Sequence, residues 1–545
     1  MKNRYILLIA LAAFTIVSCS GDDTTDPPIK ITVTTANFTA TINENPTSGE
    51  VIGIVAGSTN QGSVTFSITE QTPSGAIAID SNTGELTVVN ESLFDFEINP
   101  IITGIVKVTN GSVFENASIT ININDIDEAV IYNGNVLLTT QYEVDDFGQN
   151  GYTEITGTLK IGSSGSVSNI NNLTSLNSIE LIGGDLEVFN TEDLISFYGL
   201  NNLTFIGNDL IISENEGLNN INSLETINSI GNSINILNND VLQTIDGLSN
   251  VITINHDLLI QNNQNLLNIK GLSNVTIVGN DLIIRYNNWL QGIESLNNIT
   301  SIGGSLLINS NNLLTNIDAF HNITSISNDL SISYNDQLSD INGLSNLTSV
   351  GGAFGIKRIP ITNLSALSNV TSIGGNLALG GWQMAITDLQ GLNNLTTIGG
   401  SFIIDENNSL INLNGLENLI SIGGRINLTY VLNLTNIDGL SNVSSSLTQL
   451  IILECLALSQ IDGLSNITSI DQDLIIDSNL VLTNLNGLSN ITSVGGRVTV
   501  INNLILSDLC GLTNIITSGN YSEYLVYNNQ YNPTEQDILN GNCSL

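Results

Sequence analysis

The sequence predicts an all-β chain in two modules: an antiparallel sandwich over residues 33–129 and a long parallel β-solenoid over residues 130–545. Three observations predict it. From Ile31 onward, apolar and polar residues alternate in short runs broken by turn residues about every ten positions, the pattern of an antiparallel sandwich. Past residue 130 the apolar positions recur with a 24-residue period, the mark of a repeat architecture. The repeat unit carries no 3.6-residue apolar stripe long enough for a helix.

The chain opens on MKNRYILLIALAAFTIVSC, in which Lys2 and Arg4 precede an apolar stretch from Ile6 to Val17 that is too short to span a bilayer. Residues 1–19 therefore read as a signal peptide. Its end, Ile16-Val17-Ser18-Cys19, resembles a lipobox, and the resemblance implies that Cys19 is lipidated and becomes the new N-terminus. Ser20-Gly21-Asp22-Asp23 resembles the acidic tag of surface-exposed lipoproteins of Bacteroidota-type bacteria. The expectation is a lipid anchor in the outer membrane, facing the cell exterior and making the chain's sole contact with a membrane. Residues 20–32, with Pro27-Pro28, read as an extended tether.

Within residues 33–129 the short runs include SVTFSIT, GAIAIDSNTGELTVV, IITGIVKVTNG and ASITININDIDEA. Asn43-Glu44-Asn45, Asp80-Ser81-Asn82-Thr83-Gly84-Glu85-Leu86, Phe94-Asp95-Phe96-Glu97, Asn110-Gly111 and Asp125-Ile126-Asp127-Glu128 together resemble the motifs of a cadherin repeat. The resemblance implies a Greek-key sandwich whose end binds Ca²⁺, a hard cation that takes six to eight oxygen ligands. Carried over position by position, the expected ligands are Glu44, Asp95, Glu97, Asp125 and Glu128, with Asp127 contributing backbone. Asn110 stands where the family has a carboxylate, and no second repeat follows to complete a shared site.

In the solenoid, the first apolar residue of each D/G-x-L-x-I run falls at Leu210, Ile234, Leu258, Leu282, Leu306, Leu330, Phe354, Leu377, Phe402, Ile426, Leu450, Leu474 and Val498. Every interval is 24 except a 23 and a 25 on either side of Leu377, which cancel. Leu159, Leu186 and Tyr524 or Leu525 extend the array to about sixteen coils. In residues 299–322 the apolar positions Ile299, Ile302, Leu306, Ile308, Leu314, Ile317 and Phe320 form three clusters, so each coil reads as three short strands or turns. So small a coil cannot bury enough surface alone, and neighbours must stack with strands in parallel.

Two asparagine columns run through the repeat. One falls five residues after the reference position, at Asn215, Asn239, Asn263, Asn287, Asn311, Asn335, Asn407, Asn479 and Asn503. The other ends each unit, from Asn250 to Asn490. An amide can satisfy a turn's backbone and repeat the bond to the next coil, so both read as structural ladders. Cys455 takes a ladder position and reads as buried. The motif L-T-S-I-G-G-x-L-x-I-x-x-N-x-x-L-x-N-I-D-G-L-S-N strongly resembles the receptor L-domain type of leucine-rich repeat, which implies a right-handed solenoid with a recognition role. Cys510 and Cys543 lie in the last coil and tail, where a disulfide is expected to seal the C-terminal cap. Asp145 through Gly157 is expected to cap the other end.

Charge narrows the partners. The 545 residues carry 51 acidic and 11 basic side chains, a formal net charge of −40, which excludes a nucleic-acid binder. Charged residues make up 11% against roughly 25% in ordinary soluble domains. Uncharged Asn, Ser, Thr and Gly must therefore form the surface.

The sequence holds no catalytic motif: His256 and His321 fall at turn positions of different coils, and no G-x-S-x-G, H-E-x-x-H or C-x-x-C occurs. The coils around Leu377 break the repeat, losing the ladder Asn to Ile359 and Trp382. There Lys357, Arg358 and Trp382 suit a sugar face or an acidic partner. The expected function is recognition or adhesion, with a glycan or a cell-surface protein as partner. A polysaccharide-degrading β-helix enzyme and a purely structural stalk are the alternatives.

Overall fold

The computed structural model describes residues 28–126, 128–165 and 167–545. The expected signal peptide, the lipidation site Cys19, the tether up to Asp26-Pro27 and the ligand candidate Asp127 lie outside the described residues. No helix among the described residues is long and apolar enough to cross a membrane. The chain divides after Glu128 into two compact units.

The first unit is built from β1 (Val33–Thr35), β2 (Phe38–Asn43), β3 (Val51–Ile54), β4 (Gly57–Thr59), β5 (Thr65–Thr72), β6 (Ile77–Ile79), β7 (Glu85–Val88), β8 (Ile101–Asn110) and β9 (Val113–Asn124). One sheet runs β2-β9-β8-β5, a second β3-β7-β6, and β1 pairs with β4. All pairs are antiparallel except β2 with β9, because the strand entering the sheet lies beside the strand leaving it in the same direction. The alternation read from sequence sends Phe66, Leu86, Ile102, Val106, Ile119 and Ile121 inward, where with Phe94 they form the core. The D-S-N-T-G turn before β7 has a local cause. The Asp80 carboxylate accepts the N–H of Asn82 and of Thr83 and the Thr83 hydroxyl, which hold its pKa below the usual value. Gly84 then takes a φ of 75°.

In the second unit each regular coil has two strands and one 3₁₀ turn. In residues 299–322 these are Ser301–Ile302, Leu306–Asn309 and Asp318–Phe320. The third cluster is thus a single helical turn and not a strand, since Asp-Ala-Phe closes a backbone bond from His321 N–H to the Asp318 carbonyl. All seven apolar residues picked out in this unit are buried. The four-residue strands stack into one parallel sheet of 17, in the register the period requires: Leu282 opposes Leu306, which opposes Leu330. The slip at Leu377 cancels within the sheet, because Phe354 opposes Leu377 and Leu377 opposes Phe402.

The sheet corrects the expected count of about sixteen coils. A first coil carries Val136–Leu138, paired to Leu159–Ile161, and the last strand places Tyr524, not Leu525, opposite Val498. The first coil holds α1 (Gln141–Gly148), N-capped by Thr140 in a capping box with Glu143. Tyr132, Phe147 and Tyr152 cover that end, their rings 5.1–5.4 Å apart. At the other end α2 (Thr513–Ser518) and α3 (Glu535–Leu539) pack under the Cys510–Cys543 disulfide.

Backbone stacks directly on backbone at the Gly-Gly turn, where a Cβ on Gly303 would lie 2.0 Å from the Gly279 carbonyl oxygen. Both asparagine ladders form. Asn250 Nδ2 donates to the Glu225 carbonyl at 2.6 Å, and the same bond recurs at Asn274 and Asn298. A third ladder escaped the sequence reading: Asp185, Asp209, Asp257, Asp281, Asp329 and Asp473 each accept a backbone N–H from the following coil.

Candidate recognition edge and carboxylate cluster

The long sheet ends, coil after coil, in a residue with left-handed backbone. Asn190, Glu214, Asn238, Asn262, Tyr286, Ser310, Tyr334, Arg358, Glu406, Tyr430, Glu454, Ser478, Asn502 and Asn528 have φ between 50° and 59°. The corner requires it, since the next residue must turn inward to the buried ladder position. Left-handed backbone costs roughly 1–2 kcal/mol for side chains other than Gly, Asn or Asp. Toward the ends the column is mostly Asn, interrupted by Glu214 and Ser478, whereas Tyr, Ser, Arg and Glu occupy its centre, where each pays that strain.

At that centre Gly381 takes the corner with a φ of 96°, and Trp382 emerges beside it. A Cβ on Gly381 would lie 2.5 Å from Arg358 Cγ. The missing side chain lets Arg358 lie across this coil to Glu406, its Nη2 3.5 Å from Glu406 Oε2, while its guanidinium sits 5.2 Å from the centre of the Tyr334 ring. Arg358, Trp382, Glu406, Tyr430 and Glu454 line a depression of about 500 Å³. The structure thus brings Arg358 and Trp382 together. Lys357, at the end of strand Phe354–Lys357 beside Ser333 and Gly380, is outside that lining. A larger hollow of about 710 Å³ elsewhere on the solenoid, between Leu267, Lys270, Glu294 and Leu313, lacks an aromatic ring in its lining.

The broken ladder beneath leaves a defect. Ile359 and Val431 are buried at ladder positions, Trp382 is exposed, and the buried Asn407 between Trp382 and Val431 has no partner for either amide atom. An unpaired buried polar group costs about 1–3 kcal/mol. Asn407→Val is therefore expected to stabilise the solenoid by about 1–3 kcal/mol, read as a raised midpoint in urea.

Cys455 is buried with its Sγ 3.7 Å from the Leu428 carbonyl, the place a ladder Asn donates, and burial pushes its thiol up to about 12. His256 Nδ1 lies 3.0 Å from Asp257 Oδ2, and His321 Nδ1 lies 3.0 Å from the Asp318 carbonyl.

In the first unit, Glu44, Glu97 and Asp125 each bring a carboxylate oxygen within 4.8 Å of the others. Glu44 is buried and accepts the N–H groups of Phe96 and Ile126, which hold its carboxyl below the usual range and tie the two acidic segments together. At Glu97 a backbone hydrogen bond pulls the pKa down. Desolvation and the repulsion of Glu44, Glu128 and Asp125 together outweigh it and leave the group above its ordinary value. Glu128 accepts from Asn45 Nδ2 at 2.8 Å, and Asp95 accepts the Ile98 N–H at 2.9 Å, so these two stand outside the trio.

No protein-family model matches the sequence, and no curated protein does. Among solved structures the chain is similar to cadherin domains. Protocadherin Gamma B2 extracellular cadherin domains 3–6 match at 16% identity over 20% of this chain and 31% of theirs, with a TM-score of 0.17. Human Protocadherin-24 EC1-2 matches at 13% over 18% and 49%, with a TM-score of 0.15. Mouse Cadherin-23 EC22-24 matches at 19% over 20% and 38%, also with a TM-score of 0.15. The chain spans about a third of the first of these.

Proposed function

We propose that this chain is a surface recognition protein. The solenoid holds a glycan or a cell-surface protein at the left-handed edge of its long sheet, and the cadherin-like module serves as spacer above a lipidated Cys19 in the outer membrane. The observation that carries this reading is the depression at Arg358, Trp382, Glu406 and Tyr430, where the repeat gives up its ladder Asn and exposes an aromatic ring. A glycan array probed with the ectodomain tests it. Binding is expected, with Trp382→Ala and Arg358→Ala each weakening it while the melting temperature holds. Silence on glycans and on cell surfaces would leave the stalk reading.

A second reading has one specific support. Glu406 and Glu454 share the depression, and paired carboxylates are the chemistry of glycoside hydrolysis. Release of reducing sugar from any glycan that binds, abolished by Glu406→Gln, would establish an enzyme.

The trio Glu44, Glu97 and Asp125 fits a hard cation, because oxygen donors of this kind suit Ca²⁺ and backbone and water can complete the shell. These residues would hold Ca²⁺, neutralise the repulsion on Glu97 and brace the end of the sandwich. Millimolar Ca²⁺ is expected to raise the calorimetric melting temperature of this unit, and Glu97→Gln to remove the shift. A raised carboxyl takes up its proton more readily in the folded state, so without the ion this group stabilises the fold at low pH and loses that contribution as pH rises through the glutamate range. The Ca²⁺ shift is accordingly expected to shrink on acidification, since the ion must displace that proton. No shift at any pH would remove Ca²⁺ from the account.

A further inference from the structure

The centre of the left-handed edge has an order of its own. Stepping by 24 residues from Tyr286 gives Ser310, Tyr334, Arg358, Trp382, Glu406, Tyr430 and Glu454, so aromatic and polar side chains alternate coil by coil. The four rings are exposed, Tyr286 at 47%, Tyr334 at 46%, Trp382 at 63% and Tyr430 at 43%. Trp382 keeps the 48-residue step although its coil is irregular, because Gly381 takes the corner and the indole follows one residue later. Parallel strands stack about 4.8 Å apart, which places successive rings about 9.6 Å apart along the sheet edge.

We propose that this edge is a linear track for an extended, neutral, β-linked glycan that runs along the stack of coils with alternate sugars on Tyr286, Tyr334, Trp382 and Tyr430. The proposal rests on the recognition reading and names its ligand class. An extended pyranose chain advances about one coil rise per sugar, so every second ring meets an aromatic face while the hydroxyls of the sugars between meet Ser310, Arg358 and Glu406. Aromatic rings suit the apolar faces of sugars, and the polar side chains between them suit their hydroxyls. Charge decides against an acidic polysaccharide. In the column itself Arg358 is already engaged with Glu406 and Glu454 adds a further negative charge; one residue before the column, Arg285 is bonded to Gln261, and Lys357 is offset by Asp405 at the same strand position. Backbone strain supports a purpose for the three tyrosines, since Asn, which tolerates the left-handed corner, fills it at Asn238, Asn262 and Asn502 but not at Tyr286, Tyr334 and Tyr430.

The test is calorimetric titration of the whole ectodomain with neutral β-1,4-linked oligosaccharides of glucose, mannose and xylose in increasing length, with oligogalacturonate as the acidic counterpart. From the strand at Leu282 to the strand at Ile426 there are six coil steps, so affinity is expected to climb with length and level off at about seven sugars. Tyr334→Asn and Trp382→Ala are each expected to weaken binding by about tenfold, and Tyr334→Asn to keep or raise the melting temperature because Asn relieves the corner. Binding that is independent of length, indifferent to both variants, or as tight for oligogalacturonate overturns the track and leaves recognition elsewhere on the solenoid standing. Absence of binding to every neutral chain overturns the track, and silence on the glycan array and on cell surfaces as well overturns the recognition reading with it.

Discussion

Asn287→Leu is expected to lower the stability of the solenoid by roughly 2–4 kcal/mol, as the sum of about two stranded backbone groups at 1–3 kcal/mol each less the apolar gain. Asn287 is fully buried. Its Oδ1 accepts the N–H of Asn263 at 3.0 Å, and its Nδ2 donates to the carbonyls of Ile260 at 3.0 Å and Arg285 at 3.1 Å. Leucine nearly matches asparagine in shape, so packing changes little, but the Asn263 N–H and the Ile260 carbonyl lose this partner inside a dry column, while the Arg285 carbonyl keeps the Asn262 N–H at 3.1 Å. Urea unfolding followed by circular dichroism measures the loss, and hydrogen exchange should place it in the coils around residue 287, because coils touch only their neighbours. A loss under about 1 kcal/mol would mean that water reaches the column and satisfies the stranded groups.

The same residue type has the opposite sign at Asn407. There the ladder neighbours are Trp382 and Val431, both amide atoms are orphaned, and an apolar replacement removes a penalty instead of creating one. Continuity of the column decides the sign. Ile359 and Val431 show what the chain itself places where continuity has gone. The break coincides with Arg358, Trp382 and the depression they line.

The period made most of this molecule legible. Identical spacing puts identical side chains opposite each other, and a parallel stack has no freedom to shift register without sending Leu306 and Ile308 outward. The first coil was hidden because Val136 to Leu159 is 23 residues and Leu159 to Leu186 is 27, so period alone does not reach it. The left-handed column was hidden for a different reason. Its usual signature is Gly or Asn, whereas Tyr, Arg and Glu hold the corner here against that preference. Hence Arg358 and Trp382 stood out in the sequence as anomalies, while Tyr286, Tyr334 and Tyr430 did not. The carboxylates read from motif converge in part, and Asp95 departs because its side chain closes the turn to Ile98.

Removing the disulfide by Cys510→Ser with Cys543→Ser is expected to cost roughly 3.5–4 kcal/mol, from the chain entropy of the loop it closes across a sequence separation of 33. The cap it holds is thin. Leu509 N–H donates to the Cys543 carbonyl at 2.9 Å, Leu545 N–H to Ser507 at 3.1 Å, and Ile515, Ile516 and Ile538 cover the last coil. The buried ladder also ends there, on Asn529, which receives the Asn503 N–H and hands its own N–H to Asn532. Without the bond the tail frees itself, Asn503 and the apolar faces of Val498 and Val500 meet water, and the stack frays inward from Leu474 onward. Hydrogen exchange is therefore expected to quicken in residues 474–545 first and to leave the coils around Leu282 unchanged. The melting temperature of the first unit should not move, since the chain divides after Glu128. Exchange that quickens evenly through all the coils would instead show that the solenoid unfolds as one cooperative body, with the cap setting the stability of the whole stack.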